Sequence, residues 1–160
     1  MNHFDFMKLP DSEKTYDLCL GAVRKDGNAL QSVPQKHRTY ELCLEAVRRY
    51  GWALEYVPVH HKKYELCLGA VKYCGLTLEY VPEHHLTYEL CLEAFKNRGQ
   101  ALQFVPDHYK TYELCFEAVK CSGWNLQFAP EQHRDAIMCQ TYQNALQWVP
   151  EQFKNLIKDL

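Results

Sequence analysis

The stretch TYELCLEAVRRYGWALEYVPVHHK, Thr39 to Lys62, decides the fold. Its first half reads as a helix of about three turns. Thr39 offers an N-cap oxygen, Glu41 lies where the helix dipole favours a carboxylate, and Gly51 is expected to end the helix in the left-handed conformation. Tyr40, Leu42, Cys43, Leu44, Ala46 and Val47 are apolar, whereas Glu41, Glu45 and Arg48 fall on one narrow polar stripe. Such a helix must be covered on most sides. The run from Trp52 to Val57 has room for a short second helix packing through Leu54 and Val57, and Pro58 stops it and opens the next turn.

The same pattern recurs along the chain. Cys19, Cys43, Cys67, Cys91, Cys115 and Cys139 are each 24 residues apart, and five full units, 15–38, 39–62, 63–86, 87–110 and 111–134, follow without insertion. A partial unit at 3–14 precedes them. A shortened unit at 135–154, lacking four residues between Cys139 and Leu146, follows, with a tail at 155–160. A layer this thin cannot bury both faces of its first helix alone, so each copy must lean on its neighbours. The expected fold is all-α: one domain over 1–160, built as an α-solenoid of stacked two-helix repeats. A closed bundle of the same helices is the competing architecture, and the strict period with no long connection favours the open stack.

The repeated units, TYELCLEAVRRYGWALEYVPVHH and their neighbours, resemble a short helical repeat classed as a domain of unknown function. That repeat occurs in proteins of intracellular bacteria, including translocated effectors, and of giant viruses. The likeness runs from about Phe6 to Phe153. It implies an all-helical array, used inside a host cell, and brings no shared catalytic motif.

Composition narrows the function. With 160 residues and a net charge of −2, the chain has no overall positive field to hold a phosphate backbone, so nucleic acid is a poor default partner. No apolar run approaches the roughly 20 residues of a membrane span. The start, Met1-Asn-His-Phe-Asp-Phe-Met7, lacks the layout of a cleaved signal peptide, and the expected location is cytoplasmic or, after translocation, the host cytosol.

Equivalent thiols in adjacent layers are expected about 10 Å apart, beyond disulfide reach and outside a shared zinc sphere. The cysteine ladder is therefore read as small buried side chains in a reducing compartment. His37, His61, His85 and His133 share a position that carries Tyr109 and Phe153 in other copies, which fits a half-buried ring closing each layer. His60, His84 and His108, one residue earlier, are less constrained. The pairs His60-His61 and His84-His85 lack a carboxylate or cysteine to complete a metal site, so neither metal nor cofactor is expected. There is no phosphate-cradling loop, no H-E-x-x-H and no C-x-x-C, and identical repeated thiols argue against one activated nucleophile; no catalytic residue is assigned.

What varies between units is free to specify something else. The positions flanking the Gly read Asp26, Tyr50, Cys74, Arg98 and Ser122 before it, and Asn28, Trp52, Leu76, Gln100 and Trp124 after it. Trp, Tyr and Arg dominate binding hot spots. Tyr50, Trp52, Leu76, Arg98 and Trp124, with His60 and His84, are the candidate partner-binding residues; the alternative is that Trp52 and Trp124 pack on the neighbouring layer. The functional expectation is a non-catalytic protein-interaction module, acting as an effector or effector fragment in a host cell. A nucleic-acid-binding repeat is the alternative: Lys72, Lys96 and Lys120 line up, but Glu41, Glu65, Glu89 and Glu113 form an equally regular acidic ladder. An enzyme is the less favoured alternative.

Overall fold

The computed structural model describes residues 3–146, and within them it is helical with no strand. The α-helices are α1 (His3–Lys8), α2 (Tyr16–Lys25), α3 (Tyr40–Arg49), α4 (Tyr64–Tyr73), α5 (Tyr88–Asn97), α6 (Tyr112–Cys121) and α7 (Glu131–Leu146). The chain forms a helical repeat solenoid, and its contacts gather into two compact units, Met1–Val105 and Pro106–Leu160.

In the first unit, α2, α3, α4 and α5 each pack on the next, and so do the segments that follow them. Thr15, Thr39 and Thr87 cap their helices as their sequence position dictates, each accepting a hydrogen bond from the N–H three residues on. Lys63 stands at that position in α4 and makes no side-chain cap. The expected second helix is not an α-helix. Gly27–Ser32, Gly51–Tyr56, Gly75–Tyr80 and Gly99–Phe104 are 3-10 helices, each closed by a residue and a proline that cannot carry an α-helix onward. A second, three-residue 3-10 turn follows each proline, such as Val59–His61.

The glycine does not end the helix in the left-handed region either, because no described glycine has positive φ. The chain turns instead through an extended residue, as at Tyr50 (φ −151°, ψ 99°), whose N–H still bonds Ala46 O. Glycine is needed there for close approach. A Cβ on Gly27 would strike Ala46 O of the next layer and lie 2.8 Å from Tyr50 Cβ, one on Gly51 would lie 2.7 Å from Tyr73 Cβ, and one on Gly75 would strike Ala94 O.

The interior is correspondingly periodic. Leu30, Leu54, Leu78 and Leu102 from the 3-10 segments are buried with Leu42, Leu66 and Leu90 from the helices, and so are Cys19, Cys43, Cys67, Cys91 and the small Ala46, Ala70 and Ala94. Polar pins join the layers. Arg38 donates to Val33 O (2.8 Å) and Gln31 O (3.2 Å) of its own repeat and to Tyr56 O (2.8 Å) of the next, and Lys62 donates to Tyr80 O (2.9 Å) one repeat on. At the start, α1 buries Phe6, over which Lys14 sits at 5.5 Å while pairing with Asp11 at 3.0 Å.

In the second unit, α6 buries Leu114, Cys115, Ala118 and Val119 and packs on Gly123–Phe128 and on α7. The buried Asn125 donates to Ala118 O at 2.8 Å. The sequence placed a shortened unit at 135–154, but α7 runs unbroken from Glu131 through Asp135 to Leu146, and residues 147–154 and the tail lie outside the described residues. Without the usual break before residue 135 the helix face rotates: Ile137 is buried, whereas Met138 and Cys139 are exposed. Cys139 is therefore not a buried rung, and the ladder ends at Cys115.

Candidate functional site

The flanking positions of the glycine are not equivalent in exposure. Tyr50 is half-buried and meets Tyr73 edge-on, with ring centroids 6.0 Å apart; Trp52 is half-buried against Tyr80 at 6.2 Å. Leu76 is half-buried and Arg98 exposed. Trp52 thus meets a ring of the next repeat. Trp124, in the second unit, is 81% exposed beside Gly123 and Gln127. The position that aligns with Tyr80 for this tryptophan is Trp148, which lies outside the described residues. Tyr50, Trp52, Leu76 and Arg98 thus belong to the first unit and Trp124 to the second, and each unit presents its own set.

The two histidine classes separate by their surroundings. His37, His61, His85 and His133 are half-buried, each edge-on or tilted against the tyrosine at the start of its own repeat: Tyr16, Tyr40, Tyr64 and Tyr112, at 6.2–6.5 Å. They close the layers, as the sequence suggested. His60 and His84 are exposed, with rings 4.1 and 4.2 Å from His61 and His85. Among the described residues no group of three or more His, Cys, Asp or Glu is placed to hold a metal.

Burial pushes the ladder thiols up, to about 11 at Cys43, Cys67 and Cys91, and upward also at Cys19 and Cys115. At Cys43 the nearby Arg38 pulls the other way without prevailing. Such groups stay as thiols near neutral pH and are poor nucleophiles. Cys121 and Cys139 are exposed.

The sequence reading missed a cleft between α3 and α4, of about 480 Å³. Leu44, Val47 and Leu66 give it an apolar floor, Tyr40 and Tyr73 form aromatic walls, and Arg48 and Lys72 stand in the last turn of each helix. It opens because Gly69 stands where α3, α5 and α6 carry Glu45, Glu93 and Glu117, and a Cβ on Gly69 would meet nothing within 4 Å. The signal was present in the sequence: a glycine in mid-helix costs about 0.5–1 kcal/mol relative to alanine and calls for a reason.

The family described as a domain of unknown function (DUF4116) matches the chain twice, over residues 16–62 and 64–110. Each match covers two of the short repeats, so the family's unit is a pair of layers. Within both pairs glycine stands at the open helix position of the first member (Gly21, Gly69) and glutamate in the second (Glu45, Glu93). Comparison with curated proteins and with solved structures returned no match. With more than half its length accounted for by two tandem copies, the chain belongs to the family described as a domain of unknown function, DUF4116.

Proposed function

We propose that the protein is a non-catalytic protein-interaction module that works in a reducing compartment, as an effector or part of one in a host cytosol. The observation that carries the interaction reading is Trp124. An indole 81% exposed on a turn whose sequence varies from repeat to repeat is unfavourable in water and belongs to the residue type most enriched at binding hot spots. The eight free cysteines, six of them buried, fit a reducing compartment. No helix of the described residues is long and apolar enough to cross a membrane. The effector role rests on the resemblance of the repeats to those of translocated proteins.

The test is capture from a candidate host lysate, followed by titration of each purified candidate against the full chain. Trp124→Ala is expected to weaken the true partner by about tenfold or more. Unchanged affinity in a folded Trp124→Ala variant removes Trp124 from the interface. If RNA is bound instead, with affinity falling steeply with salt, the nucleic-acid reading replaces this one.

A further inference from the structure

The cleft between α3 and α4 combines three properties that do not follow from stacking alone. Its floor is apolar and its walls aromatic, the composition of a site that takes a bulky side chain. It is open because Gly69 lacks the side chain that α3 and α5 carry at that position, at a cost to helix stability. The same change alters the charge. In α6 the equivalent glutamate, Glu117, pairs with Lys120 at 2.8 Å, whereas Lys72 has no acid three residues before it. Arg48 on the facing helix makes no ion pair among the described residues either, since Glu45 is engaged by Arg49 at 3.7 Å. One end of the cleft is therefore an unneutralised pair of cations on adjacent helices. At the other end Glu65, in the first turn of α4, is countered by Lys63, whose ammonium lies 4.7 Å from the centre of the Tyr40 ring that walls the cleft.

We infer that this cleft binds an acidic peptide segment of a protein partner, with a bulky apolar side chain on the Leu44, Val47 and Leu66 floor and an adjacent Asp or Glu between Arg48 and Lys72. The occupant is set by charge complementarity: the cationic end selects a carboxylate, and the tyrosine walls suit an aliphatic or aromatic anchor. The inference rests on the interaction-module reading and adds a site and a ligand chemistry in the first unit, independent of Trp124.

The experiment uses the isotopically labelled full chain and two synthetic peptide pools. One mixes Asp and Glu with Leu and Phe; the other has Lys and Arg in place of the acids. Amide shifts are followed by NMR and affinities by fluorescence anisotropy. The acidic pool is expected to shift amides around Arg48, Gly69, Lys72 and Tyr73 and to lose affinity as salt rises. Gly69→Glu, which enters open space and replaces glycine by a better helix former, should keep the circular dichroism spectrum and weaken binding by about tenfold. Lys72→Glu should do the same, and Trp124→Ala should leave peptide binding unchanged. The inference is overturned if the basic pool binds as well as the acidic one, if the shifts fall outside α3 and α4, or if Gly69→Glu binds like the parent. A partner that depends on Trp124 while neither pool reaches the cleft would overturn this inference alone. Peptide binding at the cleft with no Trp124-dependent partner would overturn only the assignment of Trp124.

Discussion

The Asn97 carboxamide clasps Gly75: its Oδ1 accepts the Gly75 N–H at 2.8 Å while its Nδ2 donates to Lys72 O at 2.9 Å. One side chain of α5 thereby satisfies a donor and an acceptor at the turn where α4 gives way to its 3-10 segment. Asn97→Ala leaves both groups to water or to nothing, and a loss of about 1–3 kcal/mol is expected in urea unfolding. Asn97→Asp, which keeps the acceptor and removes the donor, should recover part of it.

Glycines of this chain divide by what surrounds them, and alanine scanning will show opposite signs. Gly27→Ala and Gly75→Ala push a methyl group into the carbonyl of Ala46 or Ala94 and should cost about 1–3 kcal/mol. Gly21→Ala and Gly69→Ala, in α2 and α4 with nothing within 4 Å, should stabilise by about 0.5–1 kcal/mol. Thermal midpoints of the four variants decide the matter, and a stabilising change at Gly75 would refute the close approach.

Arg38 offers a third measurement. Its guanidinium serves three carbonyl oxygens across two repeats, and a leucine, Leu86, stands at the same position two repeats on. Arg38→Leu fits the space and leaves the carbonyls of Val33, Gln31 and Tyr56 without that donor, so about 2 kcal/mol should be lost. Lys62→Leu, which removes the bond to Tyr80 O, should lose less.

Thiol chemistry separates the ladder from the surface. With a thiol-reactive dye at mildly alkaline pH, Cys121 and Cys139 should label quickly and the buried cysteines only after denaturant is added. The pH dependence has a definite sign. Cys43, Cys67 and Cys91 ionise near 9 in the unfolded chain and near 11 when folded, so above pH 9 the unfolded state gives up protons that the folded state retains. Their stabilising contribution is complete below pH 9 and is lost between about 9 and 11, and the thermal midpoint should fall across that window. Replacing the three by alanine, though it lowers stability at every pH, should flatten the fall.

The sequence carried the period, the helix starts and the burial of the thiols because each follows from residues close in the chain: a threonine cap, an apolar run, a cysteine every 24 positions. It misread the glycine after each helix, since the demand on Gly75 comes from Ala94, nineteen positions on, and no local rule announces it. The 3-10 form of Gly51–Tyr56 was likewise hidden, because the spacing of Leu54 and Val57 suits a short α-helix as well, and Pro58 stops either kind. For the site, Trp52 and Trp124 looked alike in sequence; Tyr80 covers one, while the other stands in the second unit 81% exposed. The cleft escaped for a different reason: it is defined by what Gly69 lacks.

Arg38 to Tyr56 and Lys62 to Tyr80 are the same bond made one layer apart, and the Gly27 and Gly75 contacts with Ala46 and Ala94 repeat in the same way. These seams of the first unit are thus variations on one joint, with Leu86 at the position of Arg38 and Lys62 in the third repeat. A recombination event that adds or drops a whole number of layers, in multiples of 72 base pairs, leaves each surviving joint intact, so descendants can drift in size without having to reinvent how the slabs adhere.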